Sequence, residues 1–426
     1  MKKLLSLIFA ILFSSILFAD DLLKGNLEFY YANDLKFEKM FRRLIGLNLE
    51  INKAIEDTEV KAILRAEDDT ARINDASRIY LREAYINQDL FFNTFISSFN
   101  FKIGKIIWTW GNADEIKPVD ILNPQDYSFL LFKQLNDRKY GLFGAEATIY
   151  FGENLNLQLI SINEFKPSET DSTVFEFLQI KKIKENPAFV LNEPILPDYT
   201  DLKKQSYAAR IGVTIYDIDM HIDYFNGYDW TPVIEATANT LMQIVFTPVY
   251  KQIEMLGFDF QRALFSGIAI RGELAYFLKG KYFSLKDDLL LTDLLAGGNG
   301  AVEKHYTQFS AGFDVVNMFI PDLYFNAQIN GNIIADYNEN ISQDNFDNSL
   351  IGTLEYLILE KKLKLKIRGF YNINDNAYAA GAEAAYKISG NYDIYAGTWL
   401  IEGKEESFYG QFKDKDMIYI GAKASY

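Results

Sequence analysis

The stretch Leu323–Ile333, LYFNAQINGNI, alternates strictly between two kinds of side chain. Odd positions carry Leu, Phe, Ala, Ile and Gly, whereas even positions carry Tyr and the amides Asn and Gln. Because successive side chains of a β-strand point to opposite sides of the sheet, this pattern predicts a strand with one apolar and one polar face. The apolar face would form the core of a soluble sandwich, or would contact lipid in a membrane barrel whose polar face lines the lumen.

Strand length favours the membrane barrel. The alternation recurs in segments of about 9–13 residues, longer than most strands of soluble sheets and suited to a tilted strand that crosses a bilayer. The nineteen candidate strands are 25–31, 42–53, 58–67, 78–88, 97–108, 139–151, 154–163, 206–216, 218–228, 238–249, 252–264, 267–279, 305–316, 322–336, 348–359, 362–373, 377–387, 391–401 and 416–426. Because bacterial single-chain barrels have an even number of strands, one candidate must be wrong, and 78–88 is the least secure since Arg82 and Glu83 place a charge on either face. We predict an all-β fold, a transmembrane antiparallel β-barrel of about 16–18 strands.

The predicted connections alternate in length. Short turns are expected at Gly152-Glu153, Asp217, Glu360-Lys361 and Gly390-Asn391, and long loops at 109–138, 164–205, 229–237, 280–304, 337–347 and 402–415. In membrane barrels of this kind the short turns face the periplasm and the long loops face outside. No linker interrupts the series, so residues 20–426 are predicted to form a single outer-membrane barrel domain.

The N-terminus has the layout of a secretory signal peptide. Lys2 and Lys3 precede an apolar run from Leu4 to Phe13, and Ala19 supplies a small residue near the expected cleavage site. This run is too short for a spanning helix, so we predict a signal peptide over residues 1–19, with a retained N-terminal anchor helix as the alternative. Together with the barrel, the signal indicates the cell outer membrane of a double-membraned bacterium.

The composition narrows the functional classes. The chain carries 43 Lys and Arg against 58 Asp and Glu, which argues against binding to the phosphates of nucleic acid. The absence of cysteine excludes thiol chemistry and Cys-based zinc sites, and two histidines offer little to a histidine-based metal or catalytic centre. No nucleophile and base can be paired from the sequence, so we expect no enzyme activity, no cofactor and no metal site.

The last strand carries a distinct positional feature. Residues 416–426 alternate in side-chain character, and the chain ends at Tyr426. A terminal aromatic residue on an alternating strand resembles the assembly signal that the outer-membrane barrel assembly machinery reads in its substrates. An ordinary final strand is the alternative explanation.

From Phe101 to Asp126 the sequence reads FKIGKIIWTWGNADEIKPVDILNPQD. This segment resembles a family of porin-like outer-membrane barrels, largely of unassigned function, in which a Gly-containing strand ends in Trp-Gly and leads into an Asn-Pro-x-Asp loop. The matching positions are Gly104, Trp110, Gly111, Asp120, Asn123, Pro124 and Asp126. A second match, GFDFQRALFSGIAIRGELAYF from Gly257 to Phe277, contains Arg271-Gly272-Glu273 in mid-strand. The resemblance implies a barrel but no particular substrate.

The loop that follows the first motif has two interpretations. Trp108 and Trp110 are expected where the strand leaves the bilayer, the usual place for interfacial aromatic residues. Gly111 permits a sharp turn, and Asp126 can cap local amides. Residues 109–138 would then either fold inward and narrow the lumen or cover the barrel rim, and the sequence favours neither.

Charged side chains are predicted on the lumen face of several strands. The lumen or constriction candidates are Lys362, Lys364, Lys366, Arg368, Arg271, Glu273, Asp120 and Asp126. The first four form the densest array of one sign, and opposed basic and acidic arrays orient polar solutes in many pores. Mutual neutralisation across neighbouring strands is the alternative, so the sequence predicts neither anion nor cation preference.

These features predict an outer-membrane channel for passive diffusion of small polar solutes or ions. The alternatives are a substrate-selective channel gated by loop 109–138 or 164–205, and a non-conducting structural or surface barrel. Loops 164–205 and 280–304 could also enter the lumen, carry a short helix or lie on the surface. The expected partners are outer-membrane lipid, the barrel assembly machinery and the solutes, without nucleic acid, and association as a homotrimer stays open.

Overall fold

Eighteen antiparallel strands form a closed barrel. The computed structural model describes residues 23–239, 243–265, 267–318 and 320–426, so the signal peptide predicted at 1–19 lies outside the described residues. The barrel strands are β1 Leu23–Asp34, β2 Met40–Ile55, β3 Thr58–Asp69, β4 Ser77–Phe91, β5 Ser98–Ile106, β6 Leu142–Phe151, β7 Leu155–Ile162, β9 Ser206–Ile215, β10 Ile218–Tyr228, β13 Gln252–Phe265, β14 Ile268–Ser284, β15 Ala301–Val316, β16 Leu323–Ile334, β17 Phe346–Ile358, β18 Leu363–Asn372, β19 Ala377–Ser389, β20 Tyr392–Glu402 and β21 Met417–Ser425. Three short strands, β8 Phe189–Leu191, β11 Val233–Ala238 and β12 Ile244–Val249, form a separate sheet.

The barrel closes between its first and last strands. β1 pairs antiparallel with β21, and the backbone amides and carbonyls of Gly25 and Tyr426 exchange hydrogen bonds of 3.1 and 3.0 Å. All other barrel strands pair antiparallel with the neighbour that precedes or follows them along the barrel. The predicted final strand is therefore the one that completes the wall.

The alternation of Leu323–Ile333 is confirmed as two faces of β16. Phe325 and Ile329 are 37% and 39% exposed on the outer surface, whereas Asn326, Gln328 and Asn330 are at most 5% exposed on the inner face. Large exposed apolar side chains recur on the outside of the other barrel strands. Apolar side chains outside and polar side chains inside are the reverse of the distribution in a soluble protein, and they fit a wall that contacts lipid.

One of the nineteen predicted strands, 238–249, is not part of the barrel wall. Its residues contribute to β11 and β12, which pair with each other and with β8. Each of the two is six residues long, whereas a tilted strand needs about 9–11 residues to cross a bilayer. With this segment removed, eighteen wall strands remain and the even count is satisfied.

The least secure candidate, 78–88, is a wall strand. The register between β3 and β4 shifts because Ile63 lies opposite Glu83 while Leu64 lies opposite Leu81, so Arg82 is an extra residue at a β-bulge. A bulge shifts the alternation by one residue. The side chains of Arg82 and Glu83 therefore both reach partners on the lumen side, Asp137 and Lys61.

The connections define two ends of the barrel. Turns such as 152–154, 216–217, 359–362 and 390–391 lie at one end, which we call the turn end. The long connections lie at the other, the loop end, and carry the helices α1 Leu135–Arg138, α2 Leu178–Glu185 and α3 Asp287–Leu295 together with the small sheet. The short helices predicted as one option for 164–205 and 280–304 are α2 and α3. None of the helices in the described ranges is long and apolar enough to span a membrane.

Candidate functional site in the barrel lumen

The connection between β5 and β6 folds into the barrel and reaches its far wall. We call residues 107–141 the inward loop. The Glu115 carboxylate accepts a hydrogen bond of 2.7 Å from the guanidinium of Arg368 on β18. β18 is nine strands away from β6 in a barrel of eighteen, so this contact spans the full width of the lumen. Of the two interpretations of 109–138, the inward fold is the one observed.

Glu273 anchors the first part of the inward loop, residues 107–122, which we call the first lobe. Its carboxylate on β14 accepts hydrogen bonds from the backbone amides of Ala113, at 2.6 Å, and Val119, at 3.4 Å. Gly111 has a φ of +75°, and a Cβ atom there would overlap the same carboxylate. A side chain at position 111 would therefore be strained twice, by its backbone conformation and by its neighbour.

Substituting Gly111 tests this anchor. We expect Gly111→Ala to destabilise the first lobe and to increase current noise, because the added methyl group displaces Glu273. Gly152→Ala is a matched control, since Gly152 also has a positive φ but no atom lies within 4 Å of its added Cβ. The backbone strain of about 1–2 kcal/mol is common to both variants, so the difference in their unfolding free energies measures the contact. Equal losses in the two variants would contradict the anchoring role.

The tip of the first lobe is held by the opposite wall. The Asp114 carboxylate pairs with Arg271 on β14 at 3.0 Å and accepts a hydrogen bond of 2.5 Å from the amide of Asn326 on β16. The side-chain oxygen of Gln328 accepts the backbone N–H of Asp114 at 2.9 Å, and Arg271 also pairs with Asp314. Arg271 and Glu273 thus both lie on the inner face of β14, where they bind the inward loop.

The Trp-Gly and Asn-Pro-x-Asp positions form the base of the inward loop. The side-chain oxygen of Asn123 accepts the backbone N–H of Trp108 at 2.8 Å, and its amide donates to the carbonyl of Tyr140 at 2.7 Å. Asp120 accepts the backbone N–H of Trp110 at 3.2 Å and pairs with Lys139. Asp120 is 5% exposed, so it serves the fold of the loop rather than the surface of an open lumen.

The interfacial position predicted for Trp108 and Trp110 is wrong. Both indoles lie inside the barrel, with 3% and 1% exposure. Their N–H groups donate to Glu146 at 3.0 Å and to Gln158 at 2.9 Å, two lumen-facing residues of β6 and β7. The prediction fails because the chain turns into the lumen after β5 and carries both indoles with it.

Asp126 anchors the second part of the inward loop, residues 123–141, which we call the second lobe. Its carboxylate pairs with Lys133 at 2.7 Å and with Arg72 of the β3–β4 connection. Arg72 also pairs with Glu169 of the connection between β7 and β9, so three connections meet at one buried ion network. Asp126 is 1% exposed, which makes it a structural group inside the barrel.

This network predicts a pH effect. Burial alone would raise the pKa of Asp126, but the ion pairs with Lys133 and Arg72 hold it well below its ordinary value of 3.8. A carboxylate with a lowered folded-state pKa contributes stability above its unfolded pKa and loses it as the pH falls towards the folded value. We therefore expect the difference in unfolding free energy between the wild type and Asp126→Asn to be constant near neutrality and to shrink below about pH 4. A difference that does not change between pH 7 and pH 2 would contradict the ion network.

Aromatic side chains dock the second lobe on the neighbouring wall. Phe132 lies 4.8 Å from Trp399 of β20 between ring centroids, and Phe129 lies 5.9 Å from Tyr30 of β1. Phe175, from the connection between β7 and β9, packs on Phe129 at 5.4 Å. These contacts join residues more than forty positions apart, so no local sequence pattern indicates them.

A cavity of about 440 Å³ lies beneath the second lobe, on the side of β1–β3 and β18–β21. We call it the basic cavity. Its lining includes Lys361, Lys362, Lys364, Lys366, Arg368, Arg42, Arg65, Lys133, Lys387 and Lys423, with the acidic residues Glu28, Asp137, Glu383 and Asp393. The four predicted members of the β18 array therefore share one wall of this cavity. Lys387 and Lys423 were not singled out from the sequence, because each is isolated on its own strand.

A closed barrel with an apolar outer wall, a polar inner wall and a loop folded across its lumen is a transmembrane β-barrel of porin-like architecture. Within this class, the chain belongs to the family described as "Protein of unknown function (DUF1302)", whose model matches residues 24–399. No curated protein sequence matches the chain significantly.

Several solved structures match this chain at low sequence identity. Pseudomonas aeruginosa OccD3 (OpdP) is 11% identical with a TM-score of 0.51, and the match covers 95% of this chain and 91% of that one. The outer membrane channel DcaP of Acinetobacter baumannii is 8% identical with a TM-score of 0.45, covering 95% and 96%. Salmonella typhi OmpF, solved with daunomycin, is 11% identical with a TM-score of 0.45, covering 95% and 97%.

Proposed function

We propose that this protein is an outer-membrane channel for passive diffusion of small polar solutes or ions, with a lumen narrowed by the inward loop. The observation that carries the proposal is the contact between Glu115 and Arg368, because it places the loop across the whole lumen. A loop held across a polar lumen leaves a restricted passage lined by charged side chains, which is how many pores limit the size and charge of what they pass.

The outer-membrane location rests on the apolar outer wall together with the predicted signal peptide. In this setting the terminal strand would be recognised by the barrel assembly machinery through Tyr426, and outer-membrane lipid would surround the wall. The ring of Tyr426 lies against Gly25 where the barrel closes, so the residue also has a local packing role.

A substrate-selective channel is the second candidate. It is favoured by the ion network around Asp126, because a loop fixed by buried charges holds a defined geometry that a solute would have to match. If the second lobe moved to open the passage, the ion network that holds it in place would act as the gate.

Single-channel recording in planar lipid bilayers tests both candidates. A general pore gives a current that rises linearly with salt and is not blocked by solutes, whereas a selective channel gives current that a fitting solute blocks. Heat-modifiable mobility on a denaturing gel first establishes that the purified barrel is folded. A folded barrel that conducts nothing would refute both candidates and support a structural or surface barrel.

A further inference from the structure

We propose that the basic cavity is a binding site for small oxyanions with more than one negative charge, and that it gives the channel an anion preference. The passage of such anions rests on the proposed channel function, whereas their binding to the cavity does not. The proposal rests on which charged side chains of the lumen form ion pairs and which do not.

Four acidic side chains on the wall opposite the basic cavity already have partners. Asp223 and Asp259 both pair with Arg210, at 2.6 and 2.7 Å, and each is fully buried. Glu273 binds two amides of the first lobe, and Asp314 pairs with Arg271. These carboxylates lie on β10 and β13–β15, and they neutralise neighbouring cations or hold the inward loop. They lie across the lumen from the basic cavity, and none of the four lines it.

The basic cavity keeps an excess of cations. Its lining has ten basic and four acidic residues, although the whole chain carries a net charge of -15. Six of the ten basic residues form ion pairs, among them Lys366 with Glu355 at 2.9 Å. Lys362, Lys364, Lys387 and Lys423 have no ion-pair partner within 4 Å in the described part of the chain. Ion pairing across neighbouring strands therefore does not account for these four lysines.

The position of the four lysines points to a solute rather than to packing. Lys362 lies in the turn before β18 and Lys364 at the turn-end half of β18. Asp393 of β20 is the cross-strand neighbour of both Lys387 and Lys423, and Glu28 of β1 is opposite Lys423. Two cross-strand carboxylates, Asp393 and Glu28, among four ammonium groups without ion-pair partners leave a net positive site inside a low-dielectric wall, which concentrates anions. A cavity of about 440 Å³ is within the size range of small-molecule sites and can hold an ion such as citrate or phosphate.

The test uses the full-length barrel with four lysines replaced, Lys362→Gln, Lys364→Gln, Lys387→Gln and Lys423→Gln. The matched control replaces four exposed lysines of the loop end, Lys182, Lys203, Lys204 and Lys286, by Gln. The two double variants, Lys362→Gln with Lys364→Gln and Lys387→Gln with Lys423→Gln, provide a smaller change if the quadruple variant does not fold.

Binding of citrate and of inorganic phosphate to the purified barrel in uncharged detergent is measured by calorimetry. We expect the cavity variant to bind at least about tenfold more weakly than the wild type and the loop-end control to match the wild type, since each lost charge removes a short-range attraction. Stronger binding of citrate than of phosphate would indicate carboxylates as the better ligands, and the reverse would indicate phosphates. Equal binding by the wild type and the cavity variant, or no binding by the wild type, would overturn the proposal.

The reversal potential under a salt gradient is the second readout. We expect the wild type to favour chloride over potassium and the cavity variant to lose this preference, with the loop-end control unchanged. A cation preference in the wild type would overturn the anion preference. If the barrel binds citrate through these lysines but conducts no current, the binding site stands and the proposed channel function fails, so the two failures are distinguishable.

Discussion

Replacing the tip of the first lobe, residues 114–118, with Gly-Gly is expected to raise the single-channel conductance at least about twofold, because it removes the segment that reaches the far wall. The two ends of the tip can be joined by a short linker, since the amides of Ala113 and Val119 bind the same carboxylate of Glu273. The anchor on β14 is therefore kept while the span to Arg368 is lost.

A same-length replacement controls for loop length. Residues 114–118 changed to Gly-Ser-Gly-Ser-Gly keep the chain in place but lose the contacts of Asp114 and Glu115. We expect this variant to show a mean conductance between the wild type and the shortened loop, with frequent transitions between levels. A shortened loop with the conductance of the wild type would mean that the tip does not restrict the passage.

Asp126→Ala is expected to have the largest effect on stability, about 3–5 kcal/mol, because it leaves Lys133 buried without its carboxylate and removes one of the partners of the buried Arg72. The free energy of unfolding in urea, measured from detergent micelles, checks this value. Asp344→Ala is the control, since Asp344 is exposed in a loop-end connection and its removal should change stability by no more than about 0.5 kcal/mol. Similar losses in the two variants would show that the buried network does not stabilise the second lobe.

The wall of the barrel could be predicted from the sequence because the pattern that specifies each strand lies within that strand. Period-2 alternation identified the two faces of β16, and the turns at Gly152-Glu153 and Gly390-Asn391 lie where they were expected. The one wrong strand, 238–249, arose because apolar six-residue strands of a small sheet resemble fragments of wall strands. Strand length distinguishes the two kinds, and the predicted segment is too long because it extends from Ala238, the last residue of β11, to the end of the six-residue β12.

The interior could be predicted only in part because its contacts are distant in sequence. The array on β18 was visible, since four basic residues alternate along one strand. Glu115 was not, because a carboxylate in a loop carries no sign of the Arg368 that it meets 253 positions later. The wrong position predicted for the two indoles has the same cause. No pattern in residues 107–111 indicates whether the chain turns towards lipid or towards the lumen.

Cross-linking can establish whether the inward loop crosses the lumen to β18. The chain contains no cysteine, so Glu115→Cys with Arg368→Cys introduces a unique pair that a short bifunctional thiol reagent can join in the folded barrel. Glu115→Cys with Asn345→Cys, at the exposed loop end, is the comparison pair. We predict a cross-linked peptide joining positions 115 and 368 in high yield and little product from the comparison pair. The absence of the 115–368 product from a folded barrel would contradict this prediction.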